Sequence, residues 1–204
     1  MKEVKLAVIY YSSTGTNHQM AKWAEEAAND LGAKEVRFRR IQETAPEAAI
    51  NQNEDWKKHL EATKDVPTTS LDDLEWADAI IFSAPTRYGG LPSQVQAFFD
   101  TTGGLWFQGK LANKVVSGMT SAQNPHGGQE TTLTALYKTM FHWGAIPAAP
   151  GYTDEVMFGA GGNPYGVSTE AGKDKLDDKV KKAVTHQVKR TLQLSGWIKK
   201  GLQE

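Results

Sequence analysis

One short stretch near the N-terminus limits what this chain can fold into more than any other. Residues 6–11 form an apolar run with the length of a buried strand, and the run ends abruptly in a hydroxyl-rich turn, residues 12–17. From His18 onward, apolar residues recur at helical spacing as far as Gly32, which predicts a helix that ends there. Because the free amide groups of a helix's first turn carry partial positive charge, a strand, tight turn and helix in this order can bind an anion.

The turn differs from the two best-known phosphate loops. It has neither the Gly-Lys-Ser/Thr ending of a P-loop nor a Gly-x-Gly-x-x-Gly series. It offers hydroxyl and amide donors instead, and the first lysine or arginine after it is Lys22. Such neutral donors suit one phosphate monoester better than a triphosphate with its metal. The alternative is an ordinary helix N-cap, which would use one hydroxyl and leave the others as loop.

The composition favours one globular domain and excludes several classes of function. The chain has 204 residues, of which 39% are hydrophobic, and this is enough for a single core. A net charge of −1 leaves no basic surface of the kind that binds nucleic acid, and the absence of cysteine excludes disulfides and thiolate catalysis. The five histidines lack acidic partners at ligand spacing, so no metal site is predicted. Without a signal peptide or a membrane-spanning run, we expect a cytoplasmic protein with no integral membrane association.

Strand and helix patterns alternate along the rest of the chain. Further strands are predicted at residues 36–41, 79–84, 115–120 and 145–147, and helices near residues 95–102, 133–143 and 176–192. The acidic segment 72–78 is interpreted as a short turn. Two longer stretches, 42–67 and 153–172, are interpreted as irregular excursions, the first a mobile surface loop with at most one helical turn near 56–60. The alternation predicts a single α/β domain, residues 1–204, built on a doubly wound parallel sheet.

Ligands of such sheets bind at the carboxyl ends of the strands. Three distinctive loops are expected to meet at that edge. We call them loop one (residues 12–17), loop two (residues 85–90) and loop three (residues 121–127). Each is rich in the small and polar residues that allow a ligand to approach the backbone closely.

Five segments carry a resemblance to a known family. They are residues 12–17, 84–89, 100–106, 127–130 and 163–166. Their order and spacing resemble those of the WrbA family of NAD(P)H:quinone oxidoreductases, and the similarity covers Val4 to about Trp197. The resemblance implies the flavodoxin-like fold, a five-stranded parallel sheet of order 2-1-3-4-5 with helices on both faces.

The resemblance also implies the cofactor and its site. FMN is the expected cofactor, NADH or NADPH the reductant and a quinone the acceptor, with no catalytic side chain because flavin N5 carries the chemistry. Loop one would hold the phosphate, loop two the flavin ring, and loop three the pyrimidine edge or ribityl chain. The implied cofactor-binding residues are Ser12, Ser13, Thr14, Gly15, Thr16, Asn17, Pro85, Thr86, Arg87, Tyr88, Gly89, Ser121, Ala122, Gln123, Asn124, His126, Gly127 and His142. The implied substrate residues are Trp106, against the quinone, and Thr14, near the nicotinamide nucleotide.

Simpler interpretations exist for four of these residues. Taken alone, Tyr88 is expected in the core and Trp106 in a loop but buried. Arg87 is expected at the surface, either solvated or in an ion pair, and His142 at a helix C-terminus that its imidazole stabilises. The sequence also departs from the family pattern, with Pro125 in loop three and with Thr14 where an aromatic residue is common.

The predicted function is two-electron, ping-pong transfer from NAD(P)H through FMN to a quinone. A flavodoxin-like one-electron carrier is an alternative, although the near-neutral charge argues against a charged docking face. A flavin-binding regulatory or scaffold protein is another. The resemblance implies a homotetramer in equilibrium with a dimer, and the excursion at 153–172 agrees because Val156, Met157, Phe158 and Tyr165 would need a partner surface.

Overall fold

A parallel sheet lies at the centre of the computed structural model, which describes residues 3–172 and 176–202. Its strands run in the order β2-β1-β3-β4-β5, as the resemblance implied. The central strands are wholly or almost wholly buried, which is typical of parallel strands that are covered on both faces. The strands are β1 (Lys5–Tyr10), β2 (Glu35–Arg40), β3 (Ala79–Pro85), β4 (Val115–Ala122) and β5 (Ile146–Pro147).

Helices cover both faces of this sheet. Leu6 and Val8 of β1 pack in one core layer and Ala7 and Ile9 in the other, because successive side chains of a strand point to opposite faces. The helices are α1 (Thr16–Asp30), α2 (Glu47–Ile50), α3 (Glu54–Ala62), α4 (Leu71–Trp76), α5 (Ser93–Asp100), α6 (Gly103–Phe107), α7 (Gln129–Trp143), α8 (Val156–Gly159) and α9 (Asp178–Gly201). Helices α1 and α9 contribute to the first layer, and α5 and α7 to the second. Within the described residues, none of the helices combines the length and the apolar character that a bilayer crossing requires.

A sixth strand corrects the predicted count of five. Strand β6 (Ser168–Glu170) pairs in parallel with the end of β4, while β5 pairs only with its start. Between β5 and β6, the edge of β4 at Gly118 forms hydrogen bonds with side chains in place of a neighbouring strand. Gly118 N donates to Tyr137 Oη at 3.1 Å, and the fully buried Gln187 donates through Nε2 to Gly118 O at 2.7 Å. The excursion at 153–172 is therefore partly regular and continues the sheet edge.

The first excursion also differs from its prediction. Residues 42–67 contain two helices, α2 and α3, instead of a mobile loop, and α3 includes the one helical turn that was expected near 56–60. Helix α4 occupies most of the segment 72–78 that was interpreted as a turn. Asn53 caps α3 by accepting a hydrogen bond from Trp56 N at 3.0 Å, and Ser70 and Asp73 form a capping box at α4. Local caps thus stabilise helices whose apolar periodicity is weak.

Candidate functional site

Loops one, two and three meet at the carboxyl edge of the sheet, where a buried hydrogen-bonded cluster joins their strands. Ser121 Oγ donates to Asn17 Oδ1 at 2.6 Å, and Asn17 Nδ2 donates to Ser83 Oγ at 3.2 Å. The three side chains are almost completely buried. The side-chain amide of Asn17 and the hydroxyl of Ser121 therefore fix the positions of the loops and do not face a ligand. This corrects the expectation that the Asn17 amide is an open donor. The backbone N–H of Asn17 takes no part in these hydrogen bonds.

Loop one has the geometry of an anion-binding turn. Gly15 adopts a φ of 101°, which glycine reaches without strain, and its N–H donates to Ser12 Oγ at 3.0 Å. The first hydrogen bond that continues into α1 runs from Gln19 N to Gly15 O at 2.8 Å. The amide groups of Thr16, Asn17 and His18 come before that bond and lie at the positive end of the helix dipole. Thr14 is exposed at the tip of the turn.

Loop two brings a cation to loop one, which the sequence did not indicate. Arg87 Nη2 donates to Ser13 Oγ at 3.0 Å and Nη1 donates to Thr86 O at 3.2 Å. The guanidinium is exposed, as expected of a surface residue, but neither of these bonds is to a carboxylate, and the side chain bridges two loops. An arginine in this place suits a phosphate, because its planar fork matches phosphate oxygens.

Tyr88 is the most unusual residue of loop two. Its side chain is fully exposed, and its backbone has a φ of 53°, a left-handed conformation that tyrosine seldom adopts. The expectation that Tyr88 packs in the core is therefore wrong. A strained and exposed aromatic residue next to an anion-binding turn points to a ligand that would cover it. Pro85, by contrast, is buried as the last residue of β3.

Two glycines allow loops two and three to approach each other at backbone distance. A Cβ on Gly128 would lie 2.6 Å from Gly89 Cα, and Gly128 has a φ of 88°. Thr86 Oγ1 connects the same loops, since it accepts from Gly89 N at 3.1 Å and donates to Gly127 O at 3.3 Å. The floor between the loops is thus bare backbone.

Loop three presents polar side chains around a turn. Gln123, Asn124 and His126 are exposed, whereas Ser121 and Ala122 are the buried last residues of β4, which runs two residues longer than predicted. His126 N donates to Asn124 Oδ1 at 3.0 Å, and Gly127 N donates to Asn124 O at 3.2 Å. Asn124 therefore shapes the turn from within.

His142 and Trp106 lie away from the three loops of their own chain. His142 is exposed in the last turn of α7, as predicted, and α7 begins beside loop three and is about 22 Å long. Helices that follow parallel strands run back along the sheet, so His142 and α6 are both at its amino edge. Trp106 is 53% exposed and lies in α6, whereas the sequence pattern indicated a buried tryptophan in a loop.

The first excursion reaches the site through Glu43, which sequence reasoning missed. Its carboxylate accepts hydrogen bonds from Tyr11 Oη at 3.0 Å, Trp56 Nε1 at 3.0 Å and Gln94 Nε2 at 2.7 Å. Burial alone would raise the pKa of Glu43, but the hydrogen bonds from the Ala45 amide and these side chains outweigh it and lower the pKa. Glu43 therefore stays ionised and connects α3 and α5 to the start of loop one.

A cavity of about 880 Å³ lies on the other side of loop three. Four carboxylates line it together with Lys179, and it includes no residue of loops one or two. The carboxylates are Glu130, Glu170, Asp177 and Asp178. This lining does not suit a phosphate, so the candidate site is the edge formed by the three loops.

Comparisons with known proteins agree with this geometry. The model of the family described as NADPH-dependent FMN reductase matches residues 4–154. A Deinococcus radiodurans protein named NAD(P)H dehydrogenase (quinone) is 55% identical over 192 residues, which cover 94% of this chain and 96% of that protein. A Caulobacter vibrioides protein of the same name is 42% identical over 178 residues, covering 83% of this chain and 84% of that protein.

A solved structure supports the fold. The flavodoxin, WrbA-like protein from Agrobacterium tumefaciens superimposes with a TM-score of 0.63 at 20% identity, covering 94% of this chain and 98% of that one. The flavodoxin-like fold is thus confirmed independently of the sequence motifs. The chain belongs to the NADPH-dependent FMN reductase family, and over most of its length it is similar to proteins named NAD(P)H dehydrogenase (quinone).

Proposed function

We propose that the protein is an FMN-dependent NAD(P)H:quinone oxidoreductase. The observation that carries the proposal is the edge where loop one offers free amide groups, Arg87 adds a cation at Ser13, and the exposed Tyr88 stands above bare backbone. The names of the 55% and 42% identical relatives agree with it.

The residues present fit FMN. Loop one, with Arg87, would hold the phosphate through charge-assisted hydrogen bonds. The glycine contact between loops two and three leaves a surface that a flat ring can approach closely, and Tyr88 could cover its edge. When bound, FMN supplies the hydride chemistry between NAD(P)H and the quinone.

The residues of the chain would bind the cofactor, orient it and shield it from solvent. Any backbone N–H groups of loops two and three that meet the bound ring would stabilise the negative charge that develops on reduction. Thr86 holds loops two and three together through its hydrogen bonds, and Glu43 holds α3 and α5 against the start of loop one. No side chain needs to act as nucleophile or general acid.

The quinone pocket gives a first prediction. Changing Trp106 to alanine should raise the quinone KM about fivefold, with less than a twofold change in FMN affinity, because loss of aromatic stacking costs roughly 1 kcal/mol on the substrate side. Steady-state kinetics measures the KM, and the reciprocal plots at several NADPH concentrations should be parallel. Trp197→Ala, which removes another exposed tryptophan, is the control and should leave the KM unchanged. A KM that is equal in wild type and Trp106→Ala would remove Trp106 from the pocket.

We also propose a tetramer whose sites are shared between chains. Because Trp106 and His142 lie at the amino edge, they would reach a flavin only in a neighbouring chain. Exposed aromatic residues support an interface at both edges, and they include Phe107, Phe141, Tyr152, Phe158 and Tyr165. Met157 is not among them, since its own chain buries it, which corrects the expectation that it needs a partner.

Sedimentation velocity tests this assembly. At micromolar concentration the FMN-loaded protein should sediment as a tetramer, and removal of FMN should shift it towards the dimer, because a shared ligand stabilises the larger form. A monomer in both samples would contradict the shared site. The expectations that the protein works in the cytoplasm and binds no nucleic acid stay predictions.

A further inference from the structure

Imidazole rings from two separate elements meet beside loop one. His18 lies in the first turn of α1, and its ring centroid is 5.3 Å from that of His59 and 4.9 Å from that of Tyr10. His59 belongs to α3 of the first excursion. Its Nδ1 lies 3.6 Å from the position that a Cβ on Gly15 would occupy. The excursion therefore places an imidazole directly against the glycine of the anion-binding turn.

His59 also has an unused polar atom. Its Nε2 is buried and has no hydrogen-bond partner among the described residues. Leaving such a group unpaired costs free energy, so it calls for an explanation. Helix α3 is nevertheless held firmly in this position, by the Asn53 cap and by the bond between Trp56 and Glu43.

Burial, more than the surrounding charges, disfavours the protonated form of both rings. Lys22 of α1 is paired with Glu25 at 2.5 Å, and Arg40 at the end of β2 donates to Val66 O at 2.9 Å. Burial, followed by the effects of His59 and Lys22, lowers the pKa of His18 to about 4, and burial lowers the pKa of His59. Tyr10 of β1 packs against His18 as a neutral ring. A phosphate dianion would change this balance, because a nearby opposite charge favours the protonated imidazole.

We propose that His59 is a phosphate-site residue, which takes up a proton from solvent when a phosphate monoester binds in loop one and then attracts the phosphate as an imidazolium. The proposal depends on the proposed function for the identity of the monoester, FMN. Arg87 would supply a permanent charge at Ser13, and His59 a charge that appears on binding at Gly15. By linkage, proton uptake at His59 requires that the FMN affinity of the wild type rise relative to that of a variant without this imidazole as the pH falls from 8 towards 6.

Calorimetric titration of the apoprotein with FMN at pH 7, in buffers of different ionisation enthalpy, measures the protons taken up. The wild type should take up protons with FMN but not with riboflavin, which lacks the phosphate. The His59→Gln variant should take up fewer protons and bind FMN roughly fivefold to tenfold more weakly, with riboflavin affinity unchanged. His186→Gln, on α9, is the matched control and should behave as wild type. Any proton change on the phosphate itself is common to all three proteins.

Two outcomes would overturn the assignment. One is equal proton uptake and equal FMN affinity in the wild type and His59→Gln. The other is a parallel loss of FMN and riboflavin affinity, which would make His59 a structural residue only. If the wild type binds no flavin, the proposed function fails, and the same comparison with inorganic phosphate then decides the role of His59 independently.

Discussion

Replacing Gly15 with valine is expected to lower the affinity for FMN by well over tenfold, roughly more than 1.4 kcal/mol of binding free energy. Gly15 has a φ of 101°, and a β-branched side chain is strongly disfavoured there. The new side chain would also fill the space towards His59 Nδ1, 3.6 Å from the Cβ position. Relief of this strain would turn the Gly15 N–H away from Ser12 and deform the turn that holds the phosphate.

Fluorescence titration of the apoprotein with FMN measures this loss. Gly32→Val is the matched control, because Gly32 ends α1 with a φ of 74° and has nothing within 4 Å of its Cβ position. It carries a similar backbone strain outside the site, so its FMN affinity should match that of the wild type. Unchanged FMN affinity in Gly15→Val would count decisively against loop one as the phosphate site.

Gly128→Ala is expected to cost about 3 kcal/mol of unfolding free energy and to weaken FMN binding at least tenfold. The added Cβ would lie 2.6 Å from Gly89 Cα and 3.1 Å from Gly89 N, and backbone cannot yield as a flexible side chain can. With a φ of 88°, position 128 also adds left-handed strain. Loops two and three would have to separate, which removes the surface for the flavin ring.

Urea unfolding of Gly128→Ala measures the loss of unfolding free energy, and FMN titration of the same variant measures the loss of affinity. Gly109→Ala provides the comparison, since Gly109 has a φ of 68° and an open Cβ position. It should lose only the strain, about 1 kcal/mol of stability, and no FMN affinity. A Gly128→Ala protein that binds FMN as tightly as the wild type would show that the two loops can separate without harm to the site.

The strand pattern made most of the fold predictable. Apolar runs such as 79–84 are long, continuous and bounded by turn residues, so their burial follows from the sequence alone. β6 was missed because its three residues, Ser168–Glu170, have no apolar pattern and are held by pairing with β4, while Gln187 binds the preceding Val167 N–H. Helix α3 was expected only as one turn for a related reason, since it buries no residue and is held by the Asn53 cap and by the bond between Trp56 and Glu43.

The sequence predicted which loops form the candidate site, but it did not predict the contacts that their side chains make. Hydroxyl and glycine clusters after strands indicate an anion site by composition. The roles of particular side chains depend on tertiary geometry, and so Asn17 turned inwards, Arg87 reached Ser13, and His59 arrived from an excursion interpreted as mobile. Residues far apart in the sequence come into contact only when the sheet forms, so no local sequence pattern predicts these contacts.

Anaerobic double-mixing stopped-flow tests the central claim most directly. The FMN-loaded protein is mixed first with NADPH or NADH and then with benzoquinone, and the absorbance of oxidised flavin is followed. Our account predicts that one of the nucleotides removes this absorbance in a single two-electron phase and that the quinone restores it at least as fast as steady-state turnover. Stepwise one-electron changes with slow return on quinone addition would identify an electron carrier, and no change with either nucleotide would identify a flavin-binding protein without this activity.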